Sequence, residues 1–229
     1  MNPFKVVDDF EAELAAFTGA PYAVTTTSCT MAIFLALRAI QDVNGYVYGG
    51  LGQISIPRHT YVGVAMSVLN VGANIDLRDE AWTKYYRIGD GPLYDSARYL
   101  RRNMWGEFDQ QGIVCLSFHW NKPLGIGQGG ALLVHSPVIA NWFKAARFDG
   151  RDPGTNVWEN PPTMVGYHAY MRPEDAAAGL VRLSHIGDGN NGLIRPAAEE
   201  YPDLGQMPFM RQNDGTHLLD EVEPSKALH

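Results

Sequence analysis

Cysteine is scarce in this 229-residue sequence, which has only Cys29 and Cys115. Both lie in apolar stretches, without the spacing of metal ligands and without the number needed for a disulfide framework. This pattern is typical of a protein from a reducing compartment. It predicts a cytoplasmic location and no metal site.

Long apolar runs and clusters of basic residues are also lacking. No uninterrupted apolar segment is long enough to cross a membrane, and the acidic, amphipathic residues 1–17 lack the apolar core of a signal peptide. The net charge is -7 and no Lys/Arg-rich run occurs, which argues against nucleic acid or an anionic membrane surface as the main partner. Small molecules or other proteins are the partners left.

Strand-like and helix-like segments alternate along most of the chain, which predicts an α/β architecture around a mostly parallel sheet. Residues 80–91 are polar and glycine-containing, and we interpret them as a loop. The predicted strands lie at residues 22–24, 54–56, 74–77, 113–118 and 130–134, and the predicted helices at 6–17, 31–40, 61–70, 138–148 and 173–183.

Lysine is rare as well, and one of the five lysines has an unusual setting. Lys122 alone lies among apolar strands and glycines. Burying an ammonium group is costly unless its pKa falls or the amine is converted to an imine. By position alone, an ordinary solvated loop lysine is as plausible as a functional one. The neighbouring residues must therefore decide.

The stretch around Lys122, SFHWNKPLGIGQGG from Ser117 to Gly130, is similar to the Schiff-base segment of the DegT/DnrJ/EryC1/StrS aminotransferase family. The serine, the lysine and the double glycine have the same spacing as in that family segment. The resemblance implies pyridoxal phosphate (PLP) as cofactor, held as an imine on Lys122, with Ser117 among the cofactor-binding residues. A dinucleotide-binding loop is disfavoured because this G-x-G-x-G-G run lies between strands and no helix follows it.

Two earlier segments resemble the same family. Residues 27–32, TSCTMA, resemble its phosphate turn S-G-T-x-A, which implies that Cys29 and Thr30 bind phosphate where free amides begin a helix. Residues 57–61, PRHTY, resemble its P-x-x-T-aromatic motif, which implies that Tyr61 lies over the cofactor ring. A packed surface tyrosine is the alternative.

Residues 93–97, LYDSA, resemble the family's E-D-A-A strand end. The resemblance implies that Asp95 keeps the pyridine nitrogen protonated, which makes the ring an electron sink. Without it, Asp95 would be a turn or N-cap residue. Arg98 stands where a glutamine or histidine that binds the ring hydroxyl is usual, so it is a candidate partner for the phenolate or for a substrate carboxylate.

Residues 166–171, GYHAYM, followed by DAAAGL at 175–180, resemble the family segment that reaches a neighbouring subunit's site. This implies a homodimer in which His168, standing in place of asparagine, contacts the partner's cofactor phosphate. Both Arg98 and His168 have a second interpretation as solvent-facing replacements without function.

The family pattern is shortened in two places. Only residues 80–94 separate Asp79 from Asp95, where at least one further βα unit is usual, and only residues 184–229 follow the last matching helix. We therefore predict a three-layer PLP-binding large domain at residues 1–183 and an irregular or partner-wrapping extension at 184–229. The small C-terminal domain of the family would be largely absent.

The resemblance implies a PLP-dependent aminotransferase that acts on a nucleotide-linked keto sugar with glutamate as amino donor. Lysine rather than histidine at position 122 points away from the family's dehydratase branch. The alternative is a minimal homologue that binds PLP or a protein partner without turnover, which the shortened segments and the altered residue Cys29 motivate.

Overall fold

A computed structural model describes residues 4–43, 52–152, 156–189 and 195–211 of the chain. Each predicted helix and strand is confirmed, with ends shifted by a few residues. The elements are α1 (Lys5–Thr18), β1 (Tyr22–Thr26), α2 (Cys29–Val43), β2 (Gln53–Pro57), α3 (Val62–Asn70), β3 (Asn74–Arg78), β4 (Tyr86–Ile88), β5 (Leu93–Asp95), β6 (Ile113–Ser117), β7 (Gly130–Val134), α4 (Pro137–Ala146), α5 (Pro173–His185), α6 (Ala197–Glu200) and α7 (Pro208–Arg211).

The main sheet has five strands in the order β1-β7-β6-β5-β4. The α/β class is confirmed, but the expectation of a mostly parallel sheet is wrong for this sheet. Only β5 and β6 are parallel, whereas the β1–β7, β7–β6 and β5–β4 pairs are antiparallel. The physical reason is the connections: β4 joins β5, and β6 joins β7, without the crossover helix that a parallel neighbour requires.

A second, two-stranded sheet consists of β2 and β3, which are parallel because α3 connects them. It lies beside β4, where the Gly89 amide donates to the Ser55 carbonyl at 2.8 Å. The prediction of a loop over residues 80–91 is therefore wrong in part, since it missed β4. That strand has only three residues, with Tyr86 and Ile88 buried and Arg87 exposed, which is too short for a clear alternating pattern.

The sheet is covered by helices on both faces, which confirms the three-layer arrangement. Along β7, Leu132 and Val134 point into the cluster that includes α2, α3 and α4, and Ala131 and Leu133 point into the cluster that includes α1 and α5. Alternate side chains of a strand face opposite sides, so a central strand between two layers is apolar throughout. Among the described residues, none of the helices has the length and apolar character needed to cross a lipid bilayer.

A buried ion pair ties three elements together beneath one end of β1. Glu11 on α1 accepts hydrogen bonds at 2.8 Å from both the amide and the hydroxyl of Thr25, and it pairs with Arg147, which follows α4. Burial would raise the pKa of Glu11, but the charges of Arg147 and Lys144 and the Thr25 amide outweigh it and hold that pKa below its usual range. The cluster fixes the strand that leads into the turn before α2.

Candidate active site

Three chain segments, together with the start of α3 and Tyr201 after α6, surround one cavity of about 220 Å³. The three segments are the turn that begins α2, the end of β5, and the connection between β6 and β7. The structure brings together six of the eight residues predicted for the site, all of which line this cavity: Cys29, Thr30, Tyr61, Asp95, Ser117 and Lys122. The predicted residues Arg98 and His168 do not line it.

Lys122 lies in the β6–β7 connection with its side chain only 13% exposed. Its amide donates to the His119 carbonyl at 2.8 Å, and Gly125, with φ of 57°, closes the loop. Its Nζ donates to the Tyr201 hydroxyl at 3.1 Å and lies 3.5 Å from a Glu200 carboxylate oxygen. The interpretation of Lys122 as a solvated loop lysine is therefore wrong.

Asp95 ends β5 and is buried. Its Oδ2 accepts a hydrogen bond of 2.6 Å from the Tyr86 hydroxyl, and its Oδ1 accepts one of 2.9 Å from the Ala97 amide. Burial raises the pKa of Asp95, although Tyr86, Ala97 and the charge of Lys122 each oppose that rise. These groups therefore offset only part of the cost of removing the carboxylate from water. Such a carboxylate suits a cationic group of a ligand.

The turn into α2 packs directly against β7. A side chain at Gly130 would place its Cβ 2.4 Å from the Cys29 amide nitrogen, so only glycine permits this approach. Burial, followed by the nearby charge of Asp95, raises the pKa of the Cys29 thiol well above its usual value. Cys29 is therefore a neutral thiol at physiological pH, and the positive end of the 15-residue helix α2 faces the cavity with Thr30.

Tyr61 directly precedes α3 and is 55% exposed. A Cβ at Gly63 would lie 2.7 Å from both the Tyr61 ring and the Thr30 hydroxyl oxygen. Gly63 thus lets the ring and the turn approach each other at the mouth of the cavity. An exposed ring beside an open cavity favours contact of Tyr61 with a flat ligand over its alternative interpretation as a packed surface tyrosine.

Arg98 is buried rather than solvent-facing, which excludes one of its two interpretations. Its Nη2 lies 3.0 Å from Glu200 Oε2 and donates to the Arg195 carbonyl at 2.7 Å. The guanidinium also lies 5.2 Å from the centre of the Trp82 ring. Its role toward a phenolate or carboxylate stays a prediction.

His168 is 73% exposed at its side chain, and its Nδ1 lies 3.4 Å from Asp149 Oδ2. Within one chain it stays away from the cavity. Its predicted role was at a neighbouring subunit's site, and that role stays a prediction.

The sequence analysis did not assign Ser28, His119, Asn121 and Gln128 to the site, although they also line the cavity. It also missed two residues that contact Lys122, Glu200 and Tyr201. Both lie in the predicted extension, of which residues 195–211 form α6, a short 3-10 turn and α7 against their own chain. The Tyr201 ring stacks on Trp82 at 6.0 Å, and its backbone carbonyl lies 3.0 Å from His59 Nδ1. Residues 190–194 and 212–229 of the extension lie outside the described residues.

The DegT/DnrJ/EryC1/StrS aminotransferase family model matches residues 2–83 and 96–200, which is most of the chain. The chain belongs to this family. The two matched stretches leave out residues 84–95, the segment that contains β4 and Asp95. The site assignment of Asp95 therefore depends on its geometry and on the motif at residues 93–97.

Two relatives of the chain are named for polysaccharide biosynthesis and for GDP-perosamine synthesis. It is 25% identical to the spore coat polysaccharide biosynthesis protein SpsC of Bacillus subtilis, covering 96% of this chain and 69% of that protein. It is 22% identical to GDP-perosamine synthase of Vibrio cholerae, covering 93% and 66%.

Solved structures, among them that of a putative sugar aminotransferase, share the fold of this chain. The PLP form of the putative sugar aminotransferase Spr1654 from Streptococcus pneumoniae matches with a TM-score of 0.63 and 19% identity, over 80% of this chain and 59% of that one. AtS13 from Actinomadura melliaura matches with a TM-score of 0.66 and 20% identity, over 80% and 60%. The chain thus spans about 60% of the length of these structures.

Proposed function

We propose that this chain is a PLP-dependent aminotransferase that holds its cofactor as an imine on Lys122. The observation that carries the proposal is that Lys122, Asp95 and the start of α2 line a single cavity. These are an amine, a buried carboxylate and a helix N-terminus, the groups that an aldehyde, a pyridinium nitrogen and a phosphate require.

The side chains around the cavity fit PLP. Thr30 and Ser117 would bind its phosphate together with the amides of the α2 turn. Asp95 would hold a proton on the ring nitrogen, with Tyr86 fixing the orientation of the carboxylate through its 2.6 Å hydrogen bond. Tyr61 would cover one ring face. When bound, PLP supplies an electron sink for reactions at the substrate carbon.

Lys122 would have two tasks. Its Nζ would hold the cofactor covalently, and as a free amine it would carry a proton to and from the substrate carbon. For either task, Nζ must leave the Tyr201 hydroxyl and the Glu200 carboxylate that now hold it. Burial, with the charges of Glu200 and Asp95, raises the pKa of the Tyr201 hydroxyl, so it stays protonated beside the amine.

The relatives support a nucleotide-linked keto sugar as acceptor, since the Vibrio cholerae relative is a GDP-perosamine synthase. Glutamate is the proposed amino donor. We also propose a cytoplasmic homodimer in which His168 contacts the partner's cofactor phosphate, and a division of the chain into a large domain at residues 1–183 and an extension at 184–229.

A second candidate is a homologue that binds PLP without turnover. It is favoured by the length of the chain relative to its structural relatives and by the engagement of Lys122 with the extension. In both cases Lys122 and Asp95 hold the cofactor, and the difference is in whether an amino group is transferred.

A spectroscopic titration separates the two candidates. PLP added to the purified protein should give an imine absorption band that is absent from Lys122→Ala, and Lys84→Ala, at an exposed lysine, is the matched control that keeps the band. Adding glutamate should convert the band to that of the pyridoxamine form. A band that glutamate leaves unchanged supports binding without turnover, and absence of the band in the unmodified protein contradicts both.

A further inference from the structure

One carboxylate bridges two nearly buried cations at the edge of the candidate active site. Glu200 Oε2 lies 3.0 Å from Arg98 Nη2, and Glu200 Oε1 lies 3.5 Å from Lys122 Nζ. The side chains of Arg98 and Lys122 are 8% and 13% exposed, whereas that of Glu200 is 36% exposed. Cations removed from water require a counter-ion, and Glu200 supplies it from the solvent side.

The guanidinium of Arg98 is held in place by groups other than Glu200. The Arg195 carbonyl accepts from it at 2.7 Å, and the rings of Trp82 and Tyr201 lie 5.2 and 5.9 Å away. Because these contacts persist without the carboxylate, Arg98 is preorganised to receive another one. A planar guanidinium suits a carboxylate in particular, since its N–H groups match both oxygens.

The segment that carries Glu200 is attached independently of that side chain. The Ala197 amide donates to the Trp82 carbonyl at 3.0 Å, and the Leu204 amide donates to the Arg58 carbonyl at 3.0 Å. Ala197 and Leu204 are also buried. Glu200 is the last residue of the four-residue helix α6. Its side chain can therefore rotate into solvent while the backbone of the segment stays attached.

We infer that Arg98 and Lys122 form a binding subsite for the carboxylate of an amino-acid donor, and that Glu200 occupies this subsite until the donor displaces it. The inference rests on the proposed function, because it assigns the donor's position in the same site. Arg98 is the constant cation of the subsite, and Lys122 contributes its charge only while its amine is free. Glu200 acts as a built-in competitor that lowers the apparent affinity for donor carboxylates.

Glutarate tests the subsite without the cofactor, because it has the carboxylates of glutamate but no amine to react. Its affinity for the full chain without PLP is measured by isothermal titration calorimetry at low ionic strength. Removing the competitor with Glu200→Gln should tighten binding roughly threefold to tenfold, since apparent affinity scales with the fraction of open sites. Glu199→Gln is the matched control, because it removes the same charge from an exposed neighbour on α6.

Two further variants keep the inference falsifiable. Adding Arg98→Gln to Glu200→Gln should abolish the gain, and Glu200→Asp, whose shorter side chain reaches both cations less well, should give an intermediate affinity. Circular dichroism and melting curves identify any variant that does not fold. Equal glutarate affinity in the unmodified protein, Glu200→Gln and Glu199→Gln overturns the inference, as does a gain that survives loss of Arg98.

The outcome is separable from that of the proposed function, because glutarate binding requires neither an imine nor transfer of an amino group. If PLP fails to react with Lys122 while Glu200→Gln still tightens glutarate binding, the proposed function fails and the subsite stands. If PLP reacts as proposed but glutarate binding is unchanged, only the subsite fails.

Discussion

Glu11 in the middle of α1 and Asp95 at the end of β5 are both buried carboxylates, yet their pKa values move in opposite directions. Glu11 has Arg147 and Lys144 as ion-pair partners and two bonds from Thr25, and its pKa is lowered. Asp95 has hydrogen bonds from the Tyr86 hydroxyl and the Ala97 amide, and its pKa is raised. The difference is that the Arg147 guanidinium contacts Glu11 directly, whereas the hydrogen bonds to Asp95 come from neutral groups.

This contrast separates a structural carboxylate from one prepared for a ligand. The cost of burying the Glu11 charge is offset within the chain, so Glu11 stabilises the fold. The cost of burying the Asp95 charge is offset only in part, so the carboxylate is best compensated when a cationic group such as a pyridinium arrives.

Glu11→Gln should cause the largest loss of stability. The substitution leaves the buried charge of Arg147 without its carboxylate, and breaking such a pair costs about 3 kcal/mol or more of the free energy of unfolding. For a chain of this length the melting temperature should fall by roughly 6–12 °C. Glu13→Gln, an exposed position on the same helix, is the control. Equal melting temperatures for the two variants would contradict the structural role of Glu11.

Asp95→Asn should change the affinity for PLP rather than lower the stability of the chain. It removes a buried charge, and Tyr86 can redirect its hydroxyl hydrogen to Thr60, whose Oγ1 lies 2.7 Å from the Tyr86 oxygen. Without cofactor, the free energy of unfolding at neutral pH should therefore stay within about 1 kcal/mol or increase. The affinity for PLP should fall about tenfold to a hundredfold, as expected from losing a charged hydrogen bond. Absorbance titration and urea unfolding measure the two effects.

The contributions of Glu11 and Asp95 to the free energy of unfolding should change with pH in opposite directions. The lowered pKa of Glu11 contributes stability that is present above the unfolded value near pH 4 and is lost as the pH falls through the folded value. The raised pKa of Asp95 has the opposite effect on the free energy of unfolding. It destabilises the folded state as the pH rises from the unfolded pKa value through the folded one. On acidification, the stability deficit of Glu11→Gln should thus shrink, and any stability advantage of Asp95→Asn should shrink too.

Tyr201→Phe should have the smallest effect. It removes the 3.1 Å hydrogen bond to Lys122 and keeps the ring that stacks on Trp82. We expect the free energy of unfolding to decrease by about 1 kcal/mol in the absence of PLP. Tyr22→Phe, at an exposed tyrosine, is the control for loss of a hydroxyl. If urea unfolding shows equal effects for both, the Tyr201 hydroxyl does not hold Lys122.

The sequence predicted most of the elements and six of the residues at the cavity because the relevant signals are local. Hydrophobic periodicity marks α1, a short apolar run marks β7, and the motifs around Thr30, Lys122 and Asp95 keep their residue types within a few positions. Such signals survive even where the intervening chain is shortened, because each motif folds with its own turn.

The features that the sequence did not predict depend on contacts between distant segments. The antiparallel pairing of β1 with β7 and the contact of Glu200 and Tyr201 with Lys122 bring together residues far apart in the chain, and neither has a spacing that can be recognised. The extension is rich in Gly, Pro, Asp and Asn, which indicates irregular structure but says nothing about where that structure packs.

The central claim is that Lys122 holds the cofactor, and chemical trapping tests it most directly. The protein is incubated with PLP, reduced with borohydride, digested and analysed by mass spectrometry, with Asp95→Asn treated in parallel. We predict a single stoichiometric adduct on the peptide that contains Lys122, at lower occupancy in Asp95→Asn when PLP is limiting. An adduct spread over Lys5, Lys84 and Lys144, or no adduct on Lys122 in the unmodified protein, would contradict the account.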